Sequence, residues 1–186
     1  MKLGKDSFIN KFSNVYSEKS CSNIIEWFEQ HRYLAKAGDA GLNRKLNNSE
    51  IAIEVTSQNN FWDLDKTLNE CTNRFKKIYP EIDKNIERWN IDPSMQLTCY
   101  EPNQFYNILH CENDGHPRHL NRVFAWMIFL NTIKKGGGTY FKYQDITAEP
   151  VAGDFYIWPT SWTHFHQGVK APEEKKYILT GWYNYV

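Results

Sequence analysis

The spacing of apolar residues in the first half of the chain predicts two helices and a strand between them. Residues 20–34 and 61–89 both carry apolar side chains at helical spacing. Ser20 or Ser22 is a suitable N-cap for the first helix, and Pro80 interrupts the second. Residues 50–56 (EIAIEVT) alternate with Ile51, Ile53 and Val55 on one face, which predicts a half-buried strand. A looser alternation in residues 7–16 predicts a first strand.

From about residue 92 the pattern changes to short segments rich in aromatic residues, isoleucine and threonine. Turn sequences separate them, namely NDGHP, KKGGGT, AEP, VAGD and KAPEEK. Short strands separated in this way are typical of β-sandwiches and β-barrels. The sequence therefore predicts one domain over residues 1–186. In it, residues 1–93 form a helical support with one or two added strands, and residues 94–186 form the β-core.

Composition excludes several classes of function. The chain has 186 residues, and its 22 lysines and arginines balance its 22 aspartates and glutamates. It therefore gives no strong signal for nucleic acid, which is bound through phosphate neutralisation. The start lacks the apolar core of a secretory signal, and the longest apolar run, residues 123–130, is far shorter than the roughly 20 residues that span a bilayer. Four scattered cysteines without a CxxC pair indicate reduced thiols. We expect a cytoplasmic protein without a membrane partner, and the oligomeric state stays open.

The first candidate metal ligands are His110 and Glu112, at the end of the β-like run QFYNILHCE. Side chains two residues apart in a strand lie on the same face, so these two can converge on one ion. Cys111 would then point away, into the core. A histidine and an acid at this spacing also arise by chance, so the pair alone is a weak signal.

The segment WPTSWTHFHQGV supplies two further candidates, His164 and His166, after an apolar strand over residues 154–158. We expect both histidines on one strand face, where either could be the second histidine ligand. Two histidines and one carboxylate with open coordination positions suit non-haem Fe(II) that activates oxygen. Zinc hydrolases use similar ligands, so these residue types alone do not define the reaction.

Lys176 opens the last strand, KYILTGWYNYV, ten residues after His166. Alternation places Lys176, Ile178, Thr180 and Trp182 on one face of that strand. A lysine that faces the interior needs a carboxylate partner, and no acidic residue follows Glu174, so a ligand carboxylate would serve. The alternative is a solvated lysine at the start of a strand.

Residues 100–182 resemble the iron(II)- and 2-oxoglutarate-dependent dioxygenases, and within them the prolyl 4-hydroxylase-like branch. The motifs that carry the resemblance, in chain order, are Tyr100, Gln104-Phe105-Tyr106, His110-Cys111-Glu112, Arg122, Gly137-Gly138-Thr139-Tyr140-Phe141, His166-Gln167-Gly168, Lys176 and Thr180-Gly181-Trp182. The sequence departs from the family pattern at two points. Its carboxylate is glutamate where aspartate is commoner, and the glutamate of the family's Gly-Gly-Glu-Thr-x-Phe segment is absent.

The resemblance implies an α+β or mainly β fold, with a double-stranded β-helix (jelly-roll, cupin-like) core and supporting N-terminal helices. It implies that His110, Glu112 and His166 bind Fe(II) and form the catalytic centre. His166 is favoured over His164 because the family has His-x-Gly with a basic residue ten positions later. Lys176 would bind 2-oxoglutarate, helped by Tyr100 and Thr180. O2 is the implied co-substrate, and ascorbate is a further candidate cofactor.

The implied reaction hydroxylates an unactivated C–H bond and releases succinate and CO2, with a prolyl residue of a peptide or protein as the favoured substrate. Two alternatives stay open. One is the same chemistry on a free amino acid, another side chain, a nucleobase or another small molecule. The other is a non-catalytic, cupin-like module that binds a metal or a ligand.

We expect the substrate to lie across the barrel mouth, between residues 113–121 and the strand at residues 50–56. Tyr106, Tyr140 and Trp182 would contact a proline ring there through apolar surface. Arg122 and His164 are further candidates to contact the substrate or to support the metal ligands. Of the remaining tryptophans, Trp126 and Trp158 should pack in the barrel, and Trp162 should be exposed.

Overall fold

The computed structural model describes residues 6–37, 51–56 and 64–186. The strands are β1 (Asn10–Phe12), β2 (Lys36–Ala37), β3 (Ile51–Thr56), β4 (Trp89–Tyr100), β5 (Arg122–Phe129), β6 (Thr139–Phe141), β7 (Ile146–Ala148), β8 (Phe155–Pro159), β9 (His166–Gly168) and β10 (Lys176–Tyr185). The helices are α1 (Glu18–Gln30), α2 (Leu64–Ile78) and α3 (Glu81–Lys84). None of the helices within these described ranges is long and apolar enough to cross a membrane.

The strands form two antiparallel sheets. The larger sheet has seven strands in the order β1-β8-β5-β10-β4-β3-β2, and the smaller has three in the order β7-β6-β9. At the centre of the larger sheet, β5 is buried at every position after Arg122. Such a continuous apolar strand forms where a sheet is covered on both faces. The result is the jelly-roll core that the sequence predicts.

Helices α1 and α2 cover one face of the larger sheet. Phe28 of α1 packs edge-on against Tyr177, with 5.9 Å between the ring centroids, and Phe75 of α2 packs against Phe124 at 5.1 Å. Along β10, Tyr177, Leu179 and Tyr183 belong to this helix-facing core. The alternate residues of β10 face the other way, into a cleft.

The helix boundaries differ from the sequence prediction. The Ser17 hydroxyl accepts a hydrogen bond from the Ser20 amide at 3.1 Å, so Ser17 caps α1 and neither Ser20 nor Ser22 does. Helix α1 ends at Gln30, and a 3-10 turn follows in which Leu34 is exposed. Helix α2 begins at Leu64 and ends before Pro80. The predicted helical residues 61–63 and the predicted strand start at residue 50 lie outside the described residues.

The strand predicted over residues 7–16 is much shorter than expected. Only Asn10–Phe12 pairs, with β8. Phe8 and Asn14 flank it with φ angles of 55° and 52°, in the left-handed region. These two residues turn the chain out of the extended conformation, and this ends the strand on both sides.

Candidate active site

A single β-bridge joins His110 to His166 at the start of β9. The His110 amide donates to the His166 carbonyl at 3.0 Å, and the His166 amide donates to the His110 carbonyl at 2.8 Å. The two rings lie with their centroids 4.4 Å apart. The strand predicted for QFYNILHCE is therefore wrong, because within that run only His110 has a bridge partner. Backbone pairing between distant segments, rather than alternation along one strand, places His110.

Each of the two imidazole rings is oriented by a backbone carbonyl two residues earlier in the chain. Nδ1 of His110 lies 2.9 Å from the Ile108 oxygen, and Nδ1 of His166 lies 2.9 Å from the His164 oxygen. A carbonyl oxygen can only accept, so each Nδ1 carries the proton. When such a ring is neutral, its Nε2 has the lone pair that a metal-binding histidine requires.

Glu112 turns one carboxylate oxygen toward both histidines. Its Oε1 lies 3.4 Å from Nε2 of His110 and 3.3 Å from Nε2 of His166. Burial raises the pKa of Glu112, but hydrogen bonding and charge from the two histidines outweigh this effect and hold that pKa well below its usual range. Burial, assisted by the charge of His110, lowers the pKa of His166. An ionised carboxylate beside a neutral imidazole is the protonation state in which these groups bind a divalent metal.

The ligand atoms of His110, Glu112 and His166 all lie within 4.8 Å of one another. Among the residues that the structure describes, no other group of three histidine, cysteine or acidic side chains comes together in this way. The chemistry of this donor set fits non-haem Fe(II), with two imidazoles and one carboxylate on a β-scaffold. Phe141 and Trp158 pack against the His166 ring, with centroids 5.2 and 5.3 Å away. The sequence predicts only a core role for Trp158, and its pattern carries no signal for the contact with His166.

His164 lies apart from this group. It ends a 3-10 turn, Trp162–His164, and this turn breaks the alternation between the two histidines of the segment. Its Nε2 lies 3.0 Å from the Ser7 oxygen, and its Nδ1 lies 2.9 Å from Oγ1 of Thr163. The expectation that His164 and His166 share a strand face is therefore wrong. Through its side chain His164 holds the N-terminal segment, and through its carbonyl it orients His166.

Two other candidate residues lie against Glu112. Nε1 of Trp182 donates to Oε2 of Glu112 at 2.8 Å. Nη1 of Arg122 lies 3.2 Å from the Glu112 carbonyl oxygen and 3.4 Å from Oε2. The Arg122 guanidinium also lies over the Trp182 ring, 3.8 Å from its centroid. Both side chains line the cleft as well, so they reach the space in front of the histidines.

Lys176 is buried at the first position of β10, with only 2% of its surface exposed. This burial excludes the alternative that Lys176 is a solvent-exposed lysine at the start of the strand. The residue pairs with Tyr100 at the end of β4, and its Nζ lies 4.4 Å from the centroid of the Tyr100 ring. Lys176, Ile178, Thr180 and Trp182 all line the cleft, as the alternation along β10 predicts.

The cleft has a volume of about 820 Å³ and contains the histidine–glutamate group. Ala52, Ile53 and Glu54 of β3 line one side of it. Asp114, His116, Arg118 and His119 of the loop between Glu112 and β5 also line it. Asp114 fixes this loop, because its Oδ1 lies 2.9 Å from Nδ1 of His119 and accepts from the His116 amide at 3.1 Å. The two segments that the sequence analysis placed at the barrel mouth therefore both border the cleft.

The aromatic candidates divide into two groups. Tyr106 lines the cleft, and its ring centroid lies 4.5 Å from that of His110. Tyr140 does not line the cleft, because Thr139 and Phe141 take the buried positions of β6 and alternation turns Tyr140 outward. Its hydroxyl donates to Asp145 at 3.1 Å. The expected contact between Tyr140 and the substrate is therefore wrong. Trp162 is exposed, as expected, and is not part of the cleft wall.

The fold is shared with solved prolyl hydroxylase structures. The viral collagen prolyl hydroxylase of Paramecium Bursaria Chlorella virus-1, solved with 2-oxoglutarate, is 17% identical over 97% of both chains, with a TM-score of 0.72. A Pseudomonas putida prolyl-4-hydroxylase is 13% identical over 96% of this chain and 93% of its own, with a TM-score of 0.68. A Trichoplax adhaerens prolyl hydroxylase, solved with a peptide from hypoxia inducible factor, is 14% identical over 95% of this chain and 83% of its own, with a TM-score of 0.72. At such identities the likeness establishes the fold.

Comparison of the sequence with family models identifies the class of reaction. No curated protein sequence matches the chain significantly. Residues 95–184, however, match the family model of the 2OG-Fe(II) oxygenase superfamily. That match runs from β4 into β10 and so includes the segments that carry the histidine–glutamate group. Residues 95–184 are therefore a 2OG-Fe(II) oxygenase domain, and the protein is a 2-oxoglutarate-dependent dioxygenase with the prolyl 4-hydroxylase fold, which uses Fe(II), 2-oxoglutarate and O2.

Proposed function

We propose that this dioxygenase hydroxylates a prolyl residue within a peptide or protein. The observation that carries the proposal is the shape of the cleft, which extends from the histidine–glutamate group past β10 and β4 to β3, the strand next to the sheet edge. A space that crosses three neighbouring strands suits an extended chain better than a single compact metabolite. Two solved structures with the same fold support this reading, since one is named a collagen prolyl hydroxylase and the other is solved with a peptide.

The proposed metal ligands are Nε2 of His110, Oε1 of Glu112 and Nε2 of His166. Their support is the geometry described above, in which three donors of the correct type converge. When bound, the metal and 2-oxoglutarate supply the oxidation, in which one oxygen atom of O2 enters the substrate C–H bond and the other enters succinate as CO2 leaves. The protein holds the donors in place and keeps water from the reacting carbon.

We propose that Lys176 binds the 5-carboxylate of 2-oxoglutarate. A buried ammonium that lines a cleft is stabilised strongly by a carboxylate that enters that cleft. Tyr100 flanks the ammonium, and Thr180 lines the same cleft four residues further along β10. No arginine follows Arg122 in the sequence, so Lys176 is the available buried cation on this strand.

The proposed substrate contacts surround the histidine–glutamate group. Tyr106 and Trp182 present aromatic surface to the cleft, against which a proline ring can pack. The guanidinium of Arg122 reaches the same space and can donate to a peptide carbonyl. Glu54 on β3 and Arg118 on the opposite loop provide a negative and a positive charge along the proposed path of the peptide substrate.

The experiment incubates the purified protein with Fe(II), 2-oxoglutarate, ascorbate and O2 together with proline-rich peptides. We expect succinate to form in step with a mass gain of one oxygen on a prolyl residue. Glu112→Ala is the matched control and should abolish both signals. Coupled turnover on a free amino acid or a nucleobase, with none on peptides, would refute the prolyl assignment and leave the oxygenase chemistry intact. A protein that binds metal and 2-oxoglutarate but forms no succinate with any of these compounds would be a binding module instead.

A further inference from the structure

The Glu112 carboxylate is held from its far side by two other side chains, which we call the carboxylate clamp: Trp182 and Arg122. The Trp182 indole donates to Oε2 at 2.8 Å, and Nη1 of Arg122 lies 3.4 Å from the same atom. Oε1, in contrast, faces only the two histidines among its described close contacts, at 3.3 and 3.4 Å. The two oxygens of this carboxylate therefore have different partners.

The clamp rests on rigid elements, whereas Glu112 does not. Trp182 lies within β10 and pairs with Ala125 of β5, and Arg122 is the first residue of β5. Stacking of the guanidinium over the indole ring, at 3.8 Å, fixes the two side chains against each other. Glu112 lies in an irregular segment just after the His110 bridge. The backbone alone therefore leaves its side chain free to rotate, and the clamp removes that freedom.

We propose that the clamp makes this site specific for glutamate at position 112. Donors on Oε2 leave Oε1 as the single metal-facing oxygen, so the carboxylate must span the distance between the clamp and the two histidines. Aspartate is shorter by one C–C bond, about 1.5 Å. An aspartate at this position would have to give up either the indole hydrogen bond or its place beside the histidines. The residue that is commoner in the family would therefore bind metal less well here.

The inference rests on the proposed metal site, and its test uses Mn(II) binding rather than turnover. We would measure Mn(II) affinity by calorimetry for the wild type, Glu112→Asp, Trp182→Phe and the double variant. Phenylalanine keeps the aromatic surface and removes only the indole N–H. Loss of a hydrogen bond that orients a metal ligand typically lowers affinity by about 10- to 100-fold, and we expect this for each single variant.

The double variant carries the decisive result. If aspartate already fails to contact the clamp, loss of the indole N–H should matter little in that background. The double variant should then bind Mn(II) less than about threefold more weakly than Glu112→Asp does. Fully additive losses, or a Glu112→Asp protein that binds Mn(II) as tightly as the wild type, would overturn the proposal. If Trp182→Phe does not fold, Arg122→Met can replace it in the same comparison of single and double variants, because it removes the other donor to Oε2.

Two controls separate the possible failures. Trp89→Phe removes an indole hydrogen bond of similar length, 3.0 Å to the Ile82 carbonyl, on the helix-facing side of the sheet. It should leave Mn(II) affinity unchanged, and a loss there equal to that of Trp182→Phe would show that the effect is general destabilisation. Glu112→Ala tests the metal site itself. If that variant binds Mn(II) normally, the metal assignment fails. If it loses Mn(II) and Trp182→Phe does not, only the clamp fails.

Discussion

At the scale of single residues, each side chain of the proposed metal site has a hydrogen-bond partner on the side away from the other two. Carbonyl oxygens of Ile108 and His164 hold the two histidine rings, and Trp182 holds the glutamate. Such partners fix the protonated nitrogen and the orientation of each ligand before the metal arrives. The site is thereby preorganised, and metal binding needs little rearrangement of the protein.

The buried ammonium of Lys176 provides the first test at this scale. Lys176→Met should weaken 2-oxoglutarate binding by about 30- to 1,000-fold, equivalent to about 2–4 kcal/mol, because a charge-assisted contact in a pocket is lost. Mn(II) affinity should change only slightly. Calorimetric titration of the metal-free protein with Mn(II), followed by titration of the Mn(II)-loaded protein with 2-oxoglutarate, measures the two affinities.

The neighbouring Lys175 is the matched control. It is more exposed, and its Nζ lies 3.1 Å from Glu101 outside the cleft. Lys175→Met should keep normal 2-oxoglutarate affinity. A large loss in this variant, with none in Lys176→Met, would place the carboxylate contact elsewhere.

At the scale of elements, the sequence predicts what depends on strict alternation and misses what depends on pairing between distant segments. The inward face of β10 follows from its period of two. The irregular path of QFYNILHCE does not, because His110 is fixed by a bridge to His166, Tyr106 accepts a backbone hydrogen bond from Gly168, and no regular strand forms in this run. The 3-10 turn before Phe165 likewise gives no period, so the different directions of His164 and His166 could not be read from the sequence. Their order and the spacing to Lys176, compared with a known family, were sufficient to choose between them.

Gly181 on β10 shows how closely this strand approaches its neighbour. A Cβ at this position would lie 2.6 Å from Cζ2 of Trp126, which is fully buried and pairs with Gly181 across the sheet. Gly181→Ala should therefore lower the free energy of unfolding by about 1–3 kcal/mol, since the indole ring has no room to move. Chemical denaturation measures the change. Thr180→Ala is the control and should cost less than about 1 kcal/mol, and equal losses in both would contradict the packing argument.

An ion pair joins the 3-10 turn that follows α1 to the residue that follows β4. Nη2 of Arg32 lies 2.6 Å from Oε1 of Glu101, and this hydrogen bond lowers the pKa of Glu101 below its usual value of 4.5. A lowered carboxyl pKa stabilises the fold above the unfolded value, and this stabilisation is lost as the pH falls through the lower folded value. Because the pair is partly exposed, Arg32→Met should cost only about 0.5 kcal/mol at pH 7.

The cost of the same substitution should be smaller at pH 3 than at pH 7, because protonation of Glu101 at low pH removes the negative charge that Arg32 contacts. Denaturation of both proteins at the two pH values measures the difference. A cost of the same size at pH 3 and pH 7 would show that Arg32 acts through packing of its side chain rather than through its charge.

At the scale of the whole molecule, the helices and the β-core share one apolar interior. Phe28 of α1 and Phe75 of α2 are both buried against the large sheet, on the face opposite the cleft. We therefore propose that residues 1–186 fold as one domain, with the first half supporting the sheet that carries the site. This arrangement explains why the functional motifs are confined to the second half.

One cooperative unfolding transition is the expected behaviour of such a domain. Phe28→Ala, which leaves a cavity under α1, should lower the free energy of unfolding by about 3–5 kcal/mol. Tryptophan fluorescence and far-UV circular dichroism should report the same midpoint for the wild type and the variant. Two separate unfolding transitions, of which the substitution shifts only one, would show that the chain contains independently folding units and would contradict the single-domain proposal.

The most direct test of the central claim is a crystal structure of the protein with Mn(II) and 2-oxoglutarate. We predict one metal ion bound by Nε2 of His110, Oε1 of Glu112 and Nε2 of His166, with the 5-carboxylate of 2-oxoglutarate against Nζ of Lys176. A metal ion bound by His164 with His166 turned away, or a 2-oxoglutarate molecule that leaves Lys176 without contact, would contradict the account.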